Sequence, residues 1–165
     1  MNNQTYKKLS NLQADLDNYI AAEKQIYMPD YKLERIIALS VEFHELLNEV
    51  RFIFKYWSYK QMDRGKALGE YVDGIHFLLS LGLTLGFESY TPKLFHPKTE
   101  NLIEQFLTVY QCLARLHAER SAESHAALFS EYLALGALLG FTGQEIESAY
   151  LEKNLVNHER QDKGY

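Results

Sequence analysis

Residues 32–57, KLERIIALSVEFHELLNEVRFIFKYW, decide the fold class. Ile36, Leu39, Phe43, Leu46, Leu47, Val50 and Phe54 recur mostly at intervals of three and four, the spacing of one face of an α-helix, with Glu42, Glu45 and Glu49 along an acidic line beside them. This spacing predicts one long helix from Lys32 to Trp57. Glu42 and Glu45 are three positions apart, so their Cβ atoms stand roughly 5–6 Å from each other on one face and their carboxylates meet at one place. The next apolar run repeats the arrangement: GEYVDGIHF, residues 69–77, sets Glu70 and Asp73 three apart in a helix expected over Ala67 to Leu85. Both pairs sit in strongly apolar helices. Half-buried like charges either take up protons or share a cation.

Working outward, Tyr6, Leu9, Leu12, Leu16 and Ile20 predict an amphipathic helix ending near Lys24. Leu102 to Leu116 and Ala126 to Leu139 read as two more apolar-faced helices, and a last one runs from about Gly143 to His158. Gly140 is placed as a helix C-cap, and Thr142 with Glu145 has the form of a capping box. Pro29, Pro92 and Pro97 fall in two short polar segments, the second within the connection SYTPKLFHPKT at residues 89–99, and KQMDRG at residues 60–65 interrupts the pattern between the two acidic helices. Strand-like alternation bounded by hairpin turns is absent. The expected architecture is all-α, a bundle of about six helices. No linker, low-complexity tract or long-period repeat divides it, so residues 1–165 read as a single domain.

The net charge of −5 over 165 residues argues against a phosphate-backbone binding face, so nucleic acid is not an expected partner. The one cysteine, Cys112, lies in an apolar helical run and reads as a small packing hydrophobe. The N-terminal residues lack the apolar core of a signal peptide, and no later stretch is long enough to span a bilayer. These features predict a soluble cytoplasmic protein without a membrane partner.

Four carboxylates with no nearby cysteine suit a hard cation with oxygen ligands, and Mg²⁺ commonly shares its remaining positions with water and substrate phosphates. A single E-x-x-[ED] pair is an ordinary feature of solvated helix faces. Two pairs on consecutive apolar helices that pack together are a different matter. Asp73-x-x-His76 has the form of a di-iron carboxylate element, but that site needs the element twice and only one copy is present. At the C-terminus, Lys153, Asn154, Asn157, Arg160 and Gln161 fall within about a third of a helix circumference at 100° per residue. Such donors suit phosphate oxygens, and basic residues in a last turn also complement the helix dipole. A non-enzymatic helical interaction module is the alternative from outside catalysis.

Four segments in order resemble the dimeric, all-α dUTPases of the MazG-like pyrophosphohydrolase superfamily: LSNLQADLD (9–17), VEFHELLNEVRFIFKYWS (41–58), EYVDGIHF (70–77) and YLEKNLVNHERQDKGY (150–165). The resemblance implies a homodimer that hydrolyses dUTP, and dUDP as a further substrate, to dUMP. It implies Glu42, Glu45, Glu70 and Asp73 as ligands to more than one Mg²⁺, with Glu42 or Glu45 removing the proton of a metal-bound water. It also implies that the C-terminal stripe, Lys153, Asn154, Asn157 and Arg160, covers the phosphates, with Lys55 as a further phosphate contact. The amide of Gln13 offers the donor and acceptor that a uracil edge requires. Trp57 is expected to wall the base pocket, His76 to bond the 3′-hydroxyl, and Phe77 to lie against the sugar where a 2′-hydroxyl would not fit. Gly69 departs from the family, in which many members carry a second acidic residue before Glu70. The superfamily also contains enzymes for other nucleotides, which remain the competing enzymatic reading.

Overall fold

Side chains cap most of the helix starts. In the computed structural model, which describes residues 1–87 and 99–164, Asn2 caps α1 (Asn3–Lys24), Asp63 caps α3 (Arg64–Thr84), and Asn101 caps α4 (Leu102–Glu119). Ser121 and Thr142 open α5 (Ala122–Leu138) and α6 (Gly143–Asp162) with reciprocal capping boxes. Each cap oxygen satisfies a backbone N–H that has no partner within its helix. Helix α2 (Lys32–Glu49) follows a short 3₁₀ turn at Met28–Tyr31. The predicted capping box at Thr142 and Glu145 is present. Gly140 adopts φ +78° after α5, with the Phe141 N–H bonded to Gly136 O and its own N–H to Ala137 O, a Schellman ending. Pro92, His96, Pro97 and most of the connection predicted around them lie outside the described residues.

Helix α5 begins a turn earlier than expected, at Ala122 rather than Ala126, because Ser121 caps it, and the end of α2 differs more substantially. Helix α2 ends at Glu49 rather than Trp57, and the chain turns through a second 3₁₀ segment at Arg51–Ile53. Beyond Val50 the period continues at Phe54, but Phe52, Ile53, Tyr56 and Trp57 crowd around it as a nearly unbroken run of large apolar side chains. Bulky aromatic and β-branched side chains lose rotamer freedom in a helix, and no single helical face can bury them all. Helix α6, by contrast, extends past His158 to Asp162, so the C-terminal stripe is helical through Gln161.

Helix α2 packs along α3 and α4 along α5, while α1 and α6 pack on each other and on α3. Among the described residues the architecture is all-α and contains no strand. Helix α3 is therefore the hub, and its buried residues surround it on several faces. Where α3 meets α5, the Tyr71 and Tyr132 rings stack with centroids 4.8 Å apart, and each hydroxyl donates to the other residue's backbone oxygen at 3.2 Å. Gly74 lies beneath the Tyr132 ring and Gly136 beneath Tyr71, where a Cβ would overlap the phenol in either case. These glycines set the close approach of α3 and α5, and with it the floor under the acidic segment of α3. No single helix among the described residues is long and apolar enough to cross a membrane.

Candidate active site

Packing of α2 against α3 brings the two acidic pairs together. Ligand oxygens of Glu42, Glu45 and Glu70 lie within 4.8 Å of one another. Burial, then repulsion from Asp73, Glu45 and Glu70, pushes the Glu42 carboxyl up to about 7. The same two causes, burial first, raise Glu70, which also shares a hydrogen bond with Glu45. Asp73 stands beside this triad and is held differently: Lys153 Nζ, from α6, donates to its Oδ2 at 2.5 Å. Burial raises Asp73 while Lys153 and Arg160 act in the opposite direction. Crowded carboxylates of this kind are stable as anions only beside positive charge.

The donor set of the triad is oxygen only, which fits a hard divalent cation. Oxygens bound to one octahedral Mg²⁺ at its usual bond length lie at most about 4.2 Å apart. Oxygens that all lie within 4.8 Å of one another are close enough for such ions to draw them together.

A cavity of about 360 Å³ opens beside the carboxylates. Glu42, Asp73, Lys153, Asn157 and Arg160 line one part of its wall; Leu16, Ile20, Ile26, Met28 and Tyr31 form an apolar part; Gln13, Asp17, Arg35, His76, Phe77 and Ser80 complete it. Helices α1, α2, α3 and α6 all contribute. The cavity thus joins carboxylates and cationic donors to a pocket with apolar walls and several polar groups.

The polar groups form a connected network. Gln13, Asp17, His76 and Ser80 are all buried. Gln13 Nε2 donates to Asp17 Oδ1 at 2.9 Å, and Gln13 Oε1 accepts from the Tyr150 hydroxyl at 2.8 Å and from His76 Nδ1 at 2.8 Å. Asp17 Oδ2 accepts from Ser80 Oγ at 2.6 Å and Arg35 Nη1 at 2.9 Å. The His76 ring stacks on Tyr150 at 3.9 Å. Burial, with the Lys153 charge adding to it and the Tyr150 backbone opposing it, pushes the imidazole down to about 3, so it is neutral near pH 7. Its Nε2 is buried without a hydrogen-bond partner.

Of the sequence-predicted residues, Gln13, Glu42, Asp73, His76, Phe77, Lys153, Asn157 and Arg160 line one cavity, with Glu45 and Glu70 in the adjoining carboxylate cluster. Asn154 is buried, with Nδ2 lacking a partner, and is not among the lining residues. Lys55 and Trp57 follow the end of α2 and stand apart from the cavity wall; Lys55 sits over the Phe54 ring, and Trp57 is 67% exposed against Tyr56. Sequence reasoning assigned no role to Asp17, Arg35, Ser80 or Tyr150. One signal was available for Asp17: it follows Gln13 by four positions, placing two polar side chains within the apolar stripe of α1. A protein-family model whose description is dUTPase matches residues 5–165. No curated protein matches the chain.

Proposed function

This chain belongs to the all-α dUTPase family and is a dUTP diphosphatase, and we propose that it works as a Mg²⁺-dependent homodimer in the cytoplasm, converting dUTP, with dUDP as a further substrate, to dUMP. The observation that carries the site assignment is the continuity of one cavity from the Glu42, Glu45 and Glu70 cluster to the buried Gln13 and His76 polar groups. A nucleoside triphosphate has the same polarity, with a cation-dependent polyphosphate at one end and a neutral hydrogen-bonding base at the other.

In this reading Glu42, Glu45 and Glu70, with Asp73 once Lys153 releases it, hold more than one divalent ion. Such ions, when bound, neutralise phosphate oxygens and favour ionisation of a water nucleophile. Lys153, Asn157 and Arg160 direct their donors to the polyphosphate, Arg as a planar fork and Lys as a point charge. Glu42, half buried and on the cavity wall, accepts the proton of the water that attacks a phosphorus of the polyphosphate; exposed Glu45 is the second choice. Gln13 Nε2 retains one hydrogen for a base carbonyl, since Asp17 uses only the other. His76 Nε2 meets the sugar hydroxyl, and Phe77 closes the space around the sugar.

Dimerisation is supported by an apolar groove of about 440 Å³ along α2 and α4, lined by Leu33, Ile36, Ile37, Tyr110 and Leu113. Leu33, Ile37, Val41, Ile103 and Leu107 expose between 47% and 65% of their surface, a patch that a second copy would cover. Lys55 is assigned to the phosphates and Trp57 to the base wall on the resemblance, since neither lines the cavity. Asn154, buried and outside the cavity lining, is assigned to the phosphates on the resemblance alone.

The test is pyrophosphate release from dUTP, dTTP, dCTP and UTP with and without Mg²⁺, with phosphate release measured from dUDP. The proposal expects strong preference for dUTP and loss of turnover in EDTA. Glu45→Gln and Asp73→Asn should each lower turnover by at least about 100-fold. Comparable turnover of dTTP refutes the uracil assignment. Unchanged hydrolysis in both charge-neutral variants refutes the carboxylate roles.

A further inference from the structure

We propose that Asp17 is a positioning residue: acting through the Gln13 amide, it holds His76 in the Nδ1–H tautomer and so leaves Nε2 as an acceptor that selects a hydroxyl-bearing ligand in the cavity. Asp17 Oδ2 is engaged by two donors, Ser80 Oγ and Arg35 Nη1. Its Oδ1 is left for Gln13, and a carboxylate accepts hydrogen bonds and gives none. The Gln13 group 2.9 Å from Oδ1 is therefore the NH₂, which fixes the amide carbonyl on the opposite side, against Tyr150 and His76. The Tyr150 hydroxyl carries a single hydrogen, and its shorter contact, 2.8 Å to Gln13 Oε1 against 3.3 Å to Leu9 O, strengthens that orientation.

An amide carbonyl cannot donate, so His76 Nδ1, 2.8 Å from it, bears the proton. A neutral imidazole has only one, and Nε2 is a lone pair. That nitrogen is buried without a partner. A buried acceptor of this kind is satisfied by a donor from the ligand. Were the Gln13 amide reversed, Nε2 would carry the proton and the site would favour an acceptor instead. Asp17, which lies one residue beyond hydrogen-bond contact with His76, thus decides the polarity of the atom offered to the ligand.

The inference rests on the nucleotide reading only for the identity of that ligand group, a sugar hydroxyl. Its experiment separates the two. Long-range ¹H–¹⁵N correlation spectra of the full chain, with the His76 ring assigned by the spectrum lost in His76→Gln, read the tautomer directly without any nucleotide. The wild type is expected to show a protonated Nδ1 and an unprotonated Nε2. Asp17→Asn should reverse them: Arg35 and Ser80 keep the Asn oxygen, its NH₂ then faces Gln13, and the Gln13 amide turns to accept from it. In parallel, kcat/KM for dUTP against 2′,3′-dideoxyuridine triphosphate is expected to differ roughly tenfold in the wild type, the worth of one hydrogen bond, and to fall to about twofold or less in Asp17→Asn.

A wild-type Nε2–H signal overturns the inference whether or not any variant folds. So does a folded Asp17→Asn protein, judged by unchanged helical circular dichroism, that keeps both the Nδ1–H tautomer and the discrimination. Should Asp17→Asn fail to fold, Gln13→Leu removes the same relay, and retention of a pure Nδ1–H signal there overturns the inference. The expected tautomers without hydrolysis of any nucleotide would support the inference and refute the functional reading.

Discussion

Replacing Glu42 by Gln should stabilise the cation-free protein at pH 8 and leave it nearly unchanged at pH 4. Glu42 is pushed from its ordinary 4.5 up to about 7 by burial and by Asp73, Glu45 and Glu70. The folded state therefore holds a proton at Glu42 that the unfolded chain has released, and stability falls as pH rises through that interval. Below about pH 4 both states are protonated and the residue is neutral in both. Above about pH 8 the folded state carries the full unfavourable charge. A tenfold change in acid dissociation corresponds to about 1.4 kcal/mol, so the upper bound is roughly 3 kcal/mol. Glu42 is only half buried, and solvent screening reduces the expected effect to about 1–2 kcal/mol. Urea denaturation in EDTA, at pH 4 and pH 8, measures it in both proteins. Adding Mg²⁺ at pH 8 should stabilise the wild type more than Glu42→Gln, because the charge that destabilises the free protein is the charge that binds the ion. Equal stability of the two proteins at pH 8 in EDTA, or a destabilised Glu42→Gln, would refute the view that Glu42 is a desolvated, repelled carboxylate.

Gly74→Ala, which sets a methyl into the Tyr132 ring, should cost about 2 kcal/mol or more and lower Tm by roughly 4–8 °C; Gly69→Ala, also within α3 but at a position where a Cβ would meet nothing within 4 Å, should raise Tm slightly through helix propensity, both read by thermal circular dichroism. Lys153→Met removes the cation paired with Asp73. Calorimetry without nucleotide should show Mg²⁺ binding roughly 3- to 10-fold tighter, while KM for dUTP rises by a comparable factor, because the same amine competes with the ion and binds phosphate; movement of both constants in one direction would contradict that double role.

Much of the site was legible because it depends on local helical geometry. Glu42 with Glu45, and Glu70 with Asp73, share faces at any three-residue spacing, and the C-terminal stripe follows from rotation about one axis. The end of α2 was harder to read. Val50 and Phe54 continue the apolar period, but the consecutive aromatics between and beyond them have no common face to bury. Asp17, Arg35, Ser80 and Tyr150 were less legible still, since they come from α1, α2, α3 and α6 and no one segment records that they meet. The division of the four carboxylates also escaped the sequence: three cluster, while Asp73 turns to Lys153 from a helix eighty residues away.

By itself the sequence determined the helices, the Gly140 and Thr142 junction between α5 and α6, the apolar stripes and the two carboxylate-bearing faces, along with a resemblance that runs the length of the chain. These are properties of neighbours within a turn or two, where covalent geometry places the side chains. The tertiary structure alone decided which faces meet, which carboxylates lose water, and which nitrogen of His76 is left without a partner. Desolvation and hydrogen-bond polarity depend on groups brought together across helices, so they exist only once Gly74 and Gly136 have let α3 and α5 close and the outer helices have packed around them.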